Sequence, residues 1–391
     1  MGTGQRSELP PSNSPRVNVL WPFAIGALAL QRLPRDLGKL QIGSHLDGAL
    51  AWIVRARASG SDGGIPANFD LVRNRWAASY PETTGYTVPT LLACARRLHG
   101  PDLRSLALSL ADYLLDVGTL EGGVGHWKRR ADGPQTPVVF DTGQVILGWL
   151  AAWHDTRDAR YLDAAVAAAE WLLQAQDETG AWIQYQHLGY AKVIDARVAW
   201  AMLKVAQAYP AYTCESAVRS CLDWVLSQQQ GNGWFNRAGF QAGRDPFTHT
   251  IAYTAEGLLE SGILLDEPRY TDASRKVADV LLTLQRTDGS LASTYDDTWH
   301  PTSRSSCLTG NCQIALLWHR FYELLGDTRY LEAASRAIAF VAATQNLTSS
   351  HPGVRGAIAG SFPVYGRYER LKYPNWAAKF FIDALLALAD A

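Results

Sequence analysis

The stretch Tyr80-Pro81-Glu82-Thr83-Thr84-Gly85-Tyr86 decides the fold of this chain, because its arrangement returns five more times. It combines tyrosines, a carboxylate and hydroxyl groups, and it leads into an apolar run over residues 88–98. The later echoes are Phe140-Asp141-Thr142-Gly143-Gln144, Val193-Ile194-Asp195-Ala196-Arg197, Thr248-His249-Thr250-Ile251-Ala252-Tyr253, Cys307-Leu308-Thr309-Gly310-Asn311 and Tyr373-Pro374-Asn375-Trp376. A helix that is apolar on all sides is buried. The sequence therefore predicts six buried helices whose first turns carry polar groups.

A second pattern predicts the helices that cover these six. Arg160-Tyr161-Leu162-Asp163-Ala164-Ala165 recurs as Arg329-Tyr330-Leu331-Glu332-Ala333-Ala334 and, with changes, as Arg269-Tyr270-Thr271-Asp272-Ala273-Ser274. Each copy opens an amphipathic run, over residues 161–176, 270–285 and 330–345, that ends in glutamine. A glycine-rich connection follows each run and leads to the next apolar helix.

The spacing of the repeats predicts a closed ring. Marker residues at the six apolar helices, at positions 85, 143, 197, 255, 310 and 375, are 54 to 65 residues apart. Internal periods of this order mark repeat arrays, and an open array needs polar caps at both ends. The last helix is as apolar as the others. We therefore predict an all-α fold, an (α/α)6 toroid over residues 17–391, preceded by a disordered tail over residues 1–16.

The loop lengths predict where the site lies. Connections from buried to covering helices are short, as at Gly326-Asp327-Thr328, whereas the opposite connections are long. Long loops in compact domains are usually functional. All long loops and all six buried-helix starts should therefore share one rim. Helix N-termini offer free N–H groups and a positive dipole end, which suits anionic or polyhydroxylated ligands.

Composition excludes several classes of function. The formal net charge of -1 is unlike the basic footprint of a nucleic-acid-binding protein. The chain contains no phosphate-binding GxxxxGK loop, no dinucleotide fingerprint and no Gly-x-Ser-x-Gly elbow. We predict no cofactor and no metal site, since histidine pairs at helical spacing are missing. The apolar run over residues 19–30 is too short to span a membrane. Five cysteines without metal spacing favour a cytoplasmic protein, with a periplasmic location left open.

Several stretches resemble known families. Gln174-Ala175-Gln176-Asp177-Glu178-Thr179-Gly180-Ala181-Trp182 resembles the repeats of the α/α-toroid superfamily, which includes terpenoid cyclases and carbohydrate-active enzymes. Ala78-Ser79-Tyr80-Pro81-Glu82-Thr83-Thr84 is similar to a stretch of the C-terminal toroid of D-glucuronyl C5-epimerases. Tyr373-Pro374-Asn375-Trp376-Ala377-Ala378-Lys379-Phe380-Phe381 resembles toroid proteins encoded beside bacterial exopolysaccharide genes. Tyr295-Asp296-Asp297-Thr298 resembles the acid motif of class II terpene cyclases, with threonine at its first acidic position.

Six residues are candidates for catalysis. Glu82 precedes a buried helix with Tyr86 beside it, which suits a general acid or base, although a helix-capping carboxylate has the same sequence signature. Asp141 and Asp195 occupy equivalent places in neighbouring repeats, and a pair of carboxylates is what glycosidic cleavage requires. His249 and Tyr253 are one helical turn apart and can move a proton between them and a substrate.

Polar and aromatic residues at the same rim are candidates for substrate binding. Aromatic rings can stack on sugars, and cationic or amide groups can bind a uronate. The predicted set is Tyr80, His126, Trp127, Gln144, Tyr185, Arg197, Trp234, Glu256, Arg304, Asn311, Tyr368, Asn375 and Trp376.

Three hypotheses of function follow. The first is an enzyme that acts on an acidic bacterial polysaccharide or oligosaccharide, as a uronate epimerase, a lyase or a glycoside hydrolase. The second is a small class II terpene cyclase with Asp296 as the acid. The third is a glycan-binding toroid without catalysis.

Overall fold

The structure is a computed structural model that describes residues 41–117, 119–120, 122–125 and 136–390. Its α-helices, numbered in chain order, are α1 (Ile42–Ser59), α2 (Pro81–Leu98), α3 (Pro101–Val117), α4 (Val139–Thr156), α5 (Ala159–Ala175), α6 (Ala196–Ala208), α7 (Glu215–Ser227), α8 (Thr248–Leu264), α9 (Pro268–Leu284), α10 (Leu308–Leu325), α11 (Thr328–Thr344) and α12 (Asn375–Asp390). The predicted tail and the apolar run over residues 19–30 lie outside the described residues.

The even-numbered helices form an inner ring. Each packs against the even-numbered helix before and after it, and α12 packs against α2. Each odd-numbered helix covers the ring from outside, and α1 pairs with α12, so the two ends of the described chain form the sixth helical hairpin. The predicted (α/α)6 toroid is confirmed. None of the described helices is both long enough and apolar enough to cross a membrane.

Glycines bring the inner helices close together. A Cβ atom on Gly148 of α4 would lie 2.4 Å from the carbonyl oxygen of Gly85 in α2. On Gly257 of α8 it would lie 2.4 Å from the backbone of α6. The small residues of the sequence motifs are therefore needed for packing between neighbouring inner helices.

Short strands tie the long loops together. They are β1 (Asn68–Asp70), β2 (Arg75–Trp76), β3 (Thr119–Leu120), β4 (Gly123–Val124), β5 (Ser306–Cys307), β6 (Ser361–Phe362) and β7 (Lys372–Pro374). Strand β1 pairs antiparallel with both β2 and β7, in the order β2-β1-β7. This sheet joins the first long loop to the last and closes the rim above the α1–α12 hairpin.

Glutamines that follow four of the outer helices fasten the next loop to the next repeat. The Nε2 of Gln285 donates to Gly289 O at 3.1 Å and to Ala333 O of α11 at 2.9 Å. Gln229 and Gln176 make the equivalent pairs of bonds one and two repeats earlier. Gln345 donates to Gly356 O and to His45 O of α1, so the same clamp closes the ring.

The glycine in this clamp generates a prediction about stability. Gly289 has a φ of +85°, and a Cβ there would lie 2.2 Å from Arg336 O, whereas Gly326 has a φ of +69° with open space around it. We expect Gly326→Ala to lower the free energy of unfolding by about 1–2 kcal/mol and Gly289→Ala by about 2–5 kcal/mol. Urea unfolding measures both, and equal losses would show that the glycine does not have to approach α11.

Candidate active site

The long loops and the first turns of the inner helices enclose a cavity of about 460 Å³, which we call the mouth cavity. Eight of the residues predicted from the sequence line it: Tyr80, Glu82, Tyr86, Asp141, His249, Tyr253, Tyr368 and Trp376. They come from α2, α4, α8, α12 and the last long loop, so distant parts of the chain meet at one opening.

Two carboxylates share a tyrosine at the wall of this cavity. The Tyr80 hydroxyl donates to Asp141 Oδ1 at 3.4 Å and is also hydrogen-bonded to Glu82. Burial, followed by the charges of Asp141 and Glu82, raises the pKa of Tyr80 well above its usual range. The tyrosine therefore stays protonated and bridges the two acids. Both acids lie in the first turn of an inner helix, where the positive dipole end favours the ionised form.

His249 is held as a neutral imidazole with a defined tautomer. Its Nδ1 lies 2.6 Å from Gln313 Oε1. An amide oxygen only accepts, so Nδ1 donates and Nε2 carries the lone pair. Burial lowers the pKa of His249 to about 4, although the bond to Gln313 opposes the shift. The ring packs 4.4 Å from that of Tyr253.

Tyr86 and Tyr253 form the floor of the mouth cavity. Burial, followed by the neighbouring Tyr253 and Glu82, raises the pKa of Tyr86 well above its usual range. Burial and then the charge of Glu82 do the same to the pKa of Tyr253. Both phenols are thus proton donors, not phenolates, at neutral pH.

Asp195 lies behind the wall, next to a buried lysine. Its Oδ2 accepts a bond of 2.7 Å from Gln186 Nε2, while Oδ1 is buried without a hydrogen-bond partner among the described residues. Lys192 lines the mouth cavity and donates to the carbonyl oxygens of His187 and Tyr190. Burial raises the pKa of Asp195 to about 7, against the opposing charge of Lys192.

Arg197, Gln144 and Glu256 form a polar chain beneath the floor. Arg197 Nε donates to Gln144 Oε1 at 2.6 Å, and its guanidinium pairs with Glu256. Arg197 and Glu256 line a second cavity, of about 580 Å³, between the later turns of the inner helices. We call it the lower cavity. His249 and Tyr253 line the mouth cavity, whereas Glu256, which was predicted to bind substrate at the same rim, lines the lower cavity.

Several predicted substrate-binding residues lie away from the mouth cavity. Asn311 holds Leu291 N and Cys307 O, and Asn375 donates to Pro66 O and Thr83, so both amides fasten loops. Trp234 packs edge-on against Trp299. Further predicted residues are Tyr185, which packs on Trp171, and the exposed Arg304. His126 and Trp127 lie outside the described residues.

Asp296 has a local role in its loop. Its Oδ1 accepts bonds from Thr298 N, Thr298 Oγ1 and His300 N. The bonds from Thr298 and His300 lower the pKa of Asp296, so the carboxyl is ionised. A cyclase acid must be protonated and must face an apolar chamber, and Asp296 meets neither requirement.

Other residues of the mouth were not among the site residues selected from the sequence. They include Asn68, Phe140, Gln186, His187, Lys192, Phe240 and Glu369. Lys192 stands just before the third inner helix, so inspecting the residues that precede each helix start would have found it. Phe240 and Gln186 lie in long loops without any repeated pattern. Within the described ranges, no three histidine, cysteine or acidic side chains gather to hold a metal ion.

The raised pKa of Asp195 predicts a change of stability with pH. The folded carboxyl keeps its proton up to about pH 7, whereas the unfolded one loses it near 3.8. The native chain therefore loses stability as the pH rises between these values. Asp195→Asn has no such proton to lose. We expect the difference in melting temperature, variant minus native, to grow steadily from pH 5 to pH 7. A constant difference in calorimetry would contradict this.

The sequence matches no protein-family model and no curated protein. The fold, however, is similar to that of solved enzymes. An unsaturated glucuronyl hydrolase specific for heparin superposes with a TM-score of 0.71 at 12% identity, over 89% of this chain and 97% of its own. Cellobiose 2-epimerase from Bacillus thermoamylovorans B4167 gives 0.70 at 12% identity, over 88% and 98%. Unsaturated glucuronyl hydrolase from Bacillus sp. GL1 gives 0.68 at 16%, over 89% and 97%. At these identities the likeness establishes a shared α/α-toroid fold.

Proposed function

We propose that this protein is a carbohydrate-active enzyme that cleaves or rearranges an anionic saccharide in the mouth cavity by acid/base chemistry. The observation that carries the proposal is the pair Glu82 and Asp141, joined through Tyr80 in a cavity of about 460 Å³. Similar folds in solved structures belong to hydrolases and epimerases of sugars, one of them described as degrading glycosaminoglycan.

The spacing of the two acids suits glycosidic cleavage. Two groups that bond to one hydroxyl oxygen lie within about 6 Å of each other. Carboxyl pairs that cleave glycosides are about 5 to 9.5 Å apart, one protonated to serve the leaving oxygen and the other ionised to act as base or nucleophile. Tyr80 can support a pair in which one acid is protonated and the other ionised, because its single hydroxyl proton bonds to only one of the two acids at a time.

The remaining wall suits an anionic sugar. Phe140, Phe240 and Trp376 offer ring faces or edges for stacking against a pyranose. Lys192 and Lys372 lie on the same wall, where Lys372 is paired with Glu369 at 3.0 Å. An ammonium group binds a carboxylate through charge-assisted hydrogen bonds, and the carboxylate of a sugar can share Lys372 with Glu369 or replace it. We therefore propose a uronate as the sugar in contact with these lysines.

A specific observation favours epimerisation or elimination as a second candidate reaction. His249, whose Nε2 carries the lone pair, lines the mouth cavity beside the protonated Tyr253. A neutral imidazole and a phenol can remove and return a proton next to a uronate carboxyl group, but a pKa of about 4 makes His249 a weak base, so this reaction ranks second to cleavage by the two acids. The compartment remains a proposal as well: five free buried thiols suit a reducing cytoplasm.

The central test uses oligosaccharides with a terminal uronate, saturated or unsaturated, and mass spectrometry of the products. We expect Glu82→Gln and Asp141→Asn each to lower kcat by about 10²- to 10⁴-fold, because each removes one acid/base partner. Asp296→Asn is the matched control and should keep full activity. Full activity in both cavity variants would refute the role of the pair. Binding without turnover in the native protein would favour the glycan-binding alternative.

The charge preference has a test of its own. Lys372 lines the mouth cavity, whereas Arg367 of the same loop is exposed outside it. We expect Lys372→Met to raise KM for a uronate substrate about tenfold and to leave a neutral analogue unaffected. Arg367→Met removes the same charge from the loop and should change neither KM. If the two variants behave alike, general electrostatic attraction and not the site explains the preference.

A further inference from the structure

The lower cavity is a second chamber of the toroid. It lies on the far side of Tyr86, which lines both cavities. All six inner helices contribute to its wall, among them α2 with Thr90, α4 with Ala151 and α10 with His319. The tight turns at this end leave the chamber open, so a small molecule can enter without passing through the mouth.

Two buried nitrogen atoms at this wall have no hydrogen-bond partner among the described residues. They are Nε2 of Gln313 and Nε2 of His319, which belong to residues that are 4% and 8% exposed. Leaving a buried polar group unpaired costs about 1–3 kcal/mol. Native proteins seldom leave such groups unpaired, and a partner absent from the chain itself explains them.

Three cations of the chamber are paired within the protein. Arg197 pairs with Glu256, Lys379 with Asp383 at 2.6 Å, and Arg320 with Glu260 at 2.9 Å. The rest of the wall includes Trp200, several leucines and Lys204, which donates to Gln207 Oε1 at 3.0 Å. A neutral ligand with hydroxyl groups can bond to the free nitrogens and stack on the indole without breaking any of the three pairs.

We propose that the lower cavity is a binding site for a small neutral polyhydroxylated molecule, of the size of one or two sugar units. Its hydroxyl oxygens accept from Gln313 Nε2 and bond to His319 Nε2. The proposal does not depend on the reaction in the mouth cavity, because it concerns other residues and is tested by binding alone.

The test is a calorimetric titration of the full chain with D-glucose. Ala151→Trp fills the chamber without removing a polar group, and His319→Phe replaces the imidazole and its unpaired nitrogen by an apolar ring. Phe240→Ala removes a stacking ring of the mouth cavity and serves as the control. We expect saturable glucose binding in the native protein and in Phe240→Ala, and at least about tenfold weaker binding in the two lower-cavity variants.

Two results would overturn the proposal. One is the absence of saturable glucose binding by the native protein, which would mean that water alone satisfies the two nitrogens. The other is glucose binding that survives Ala151→Trp but is lost in Phe240→Ala, which would place the ligand in the mouth cavity. Thermal melts establish that each variant is folded, and the two lower-cavity variants change different walls, so one misfolded variant still leaves a decisive result.

Discussion

The structure depends on a glutamine amide that bonds to two carbonyl groups at once. At the end of an outer helix, the two N–H bonds of Nε2 hold the glycine of the following loop and a backbone carbonyl of the next outer helix. One side chain thereby fixes where the loop starts and how the next repeat is placed. When the last clamp reaches His45 of α1, the array closes. Closure then brings the starts of the inner helices to a single opening.

A second repeated interaction explains why these starts are polar although they are buried. Thr84 donates to the carbonyl four residues earlier and accepts from the loop residue Ile65. Thr142 and Asn311 make the same two kinds of bond in other repeats. Buried backbone groups of the loops need partners, and the first turn of the inner helix supplies them. The loops are thus held over the cavity by the helices that they precede.

The first turns of the inner helices both hold the loops and line the cavity, and this limits which residue roles can be predicted from the sequence. Periodicity, the repeats and the tight turns were enough to predict the toroid and the rim on which the site lies. They did not separate Asn311, which fastens a loop, from Glu82, which lines the cavity, because both stand in the first turn of an inner helix and periodicity does not show which face of that turn meets the loop. Glu256 was predicted at the rim, but the floor formed by Tyr86 and Tyr253 separates it from the mouth, and it lines the lower cavity. Lys192 and Phe240 come from loops whose paths no periodicity predicts.

The residues between the mouth cavity and the lower cavity also determine which side chains can exchange protons with a substrate. Burial of the imidazole, together with the positive charge of Arg197, lowers the pKa of His249. Glu256 and the rings of Tyr253 and Trp200 hold the guanidinium in place. With a pKa of about 4, His249 gains a proton only at a cost at neutral pH. The imidazole is therefore better suited to accept a hydrogen bond from a substrate hydroxyl group, and the main proton transfer falls to Glu82 and Asp141, which share a protonated tyrosine at the positive ends of two helices.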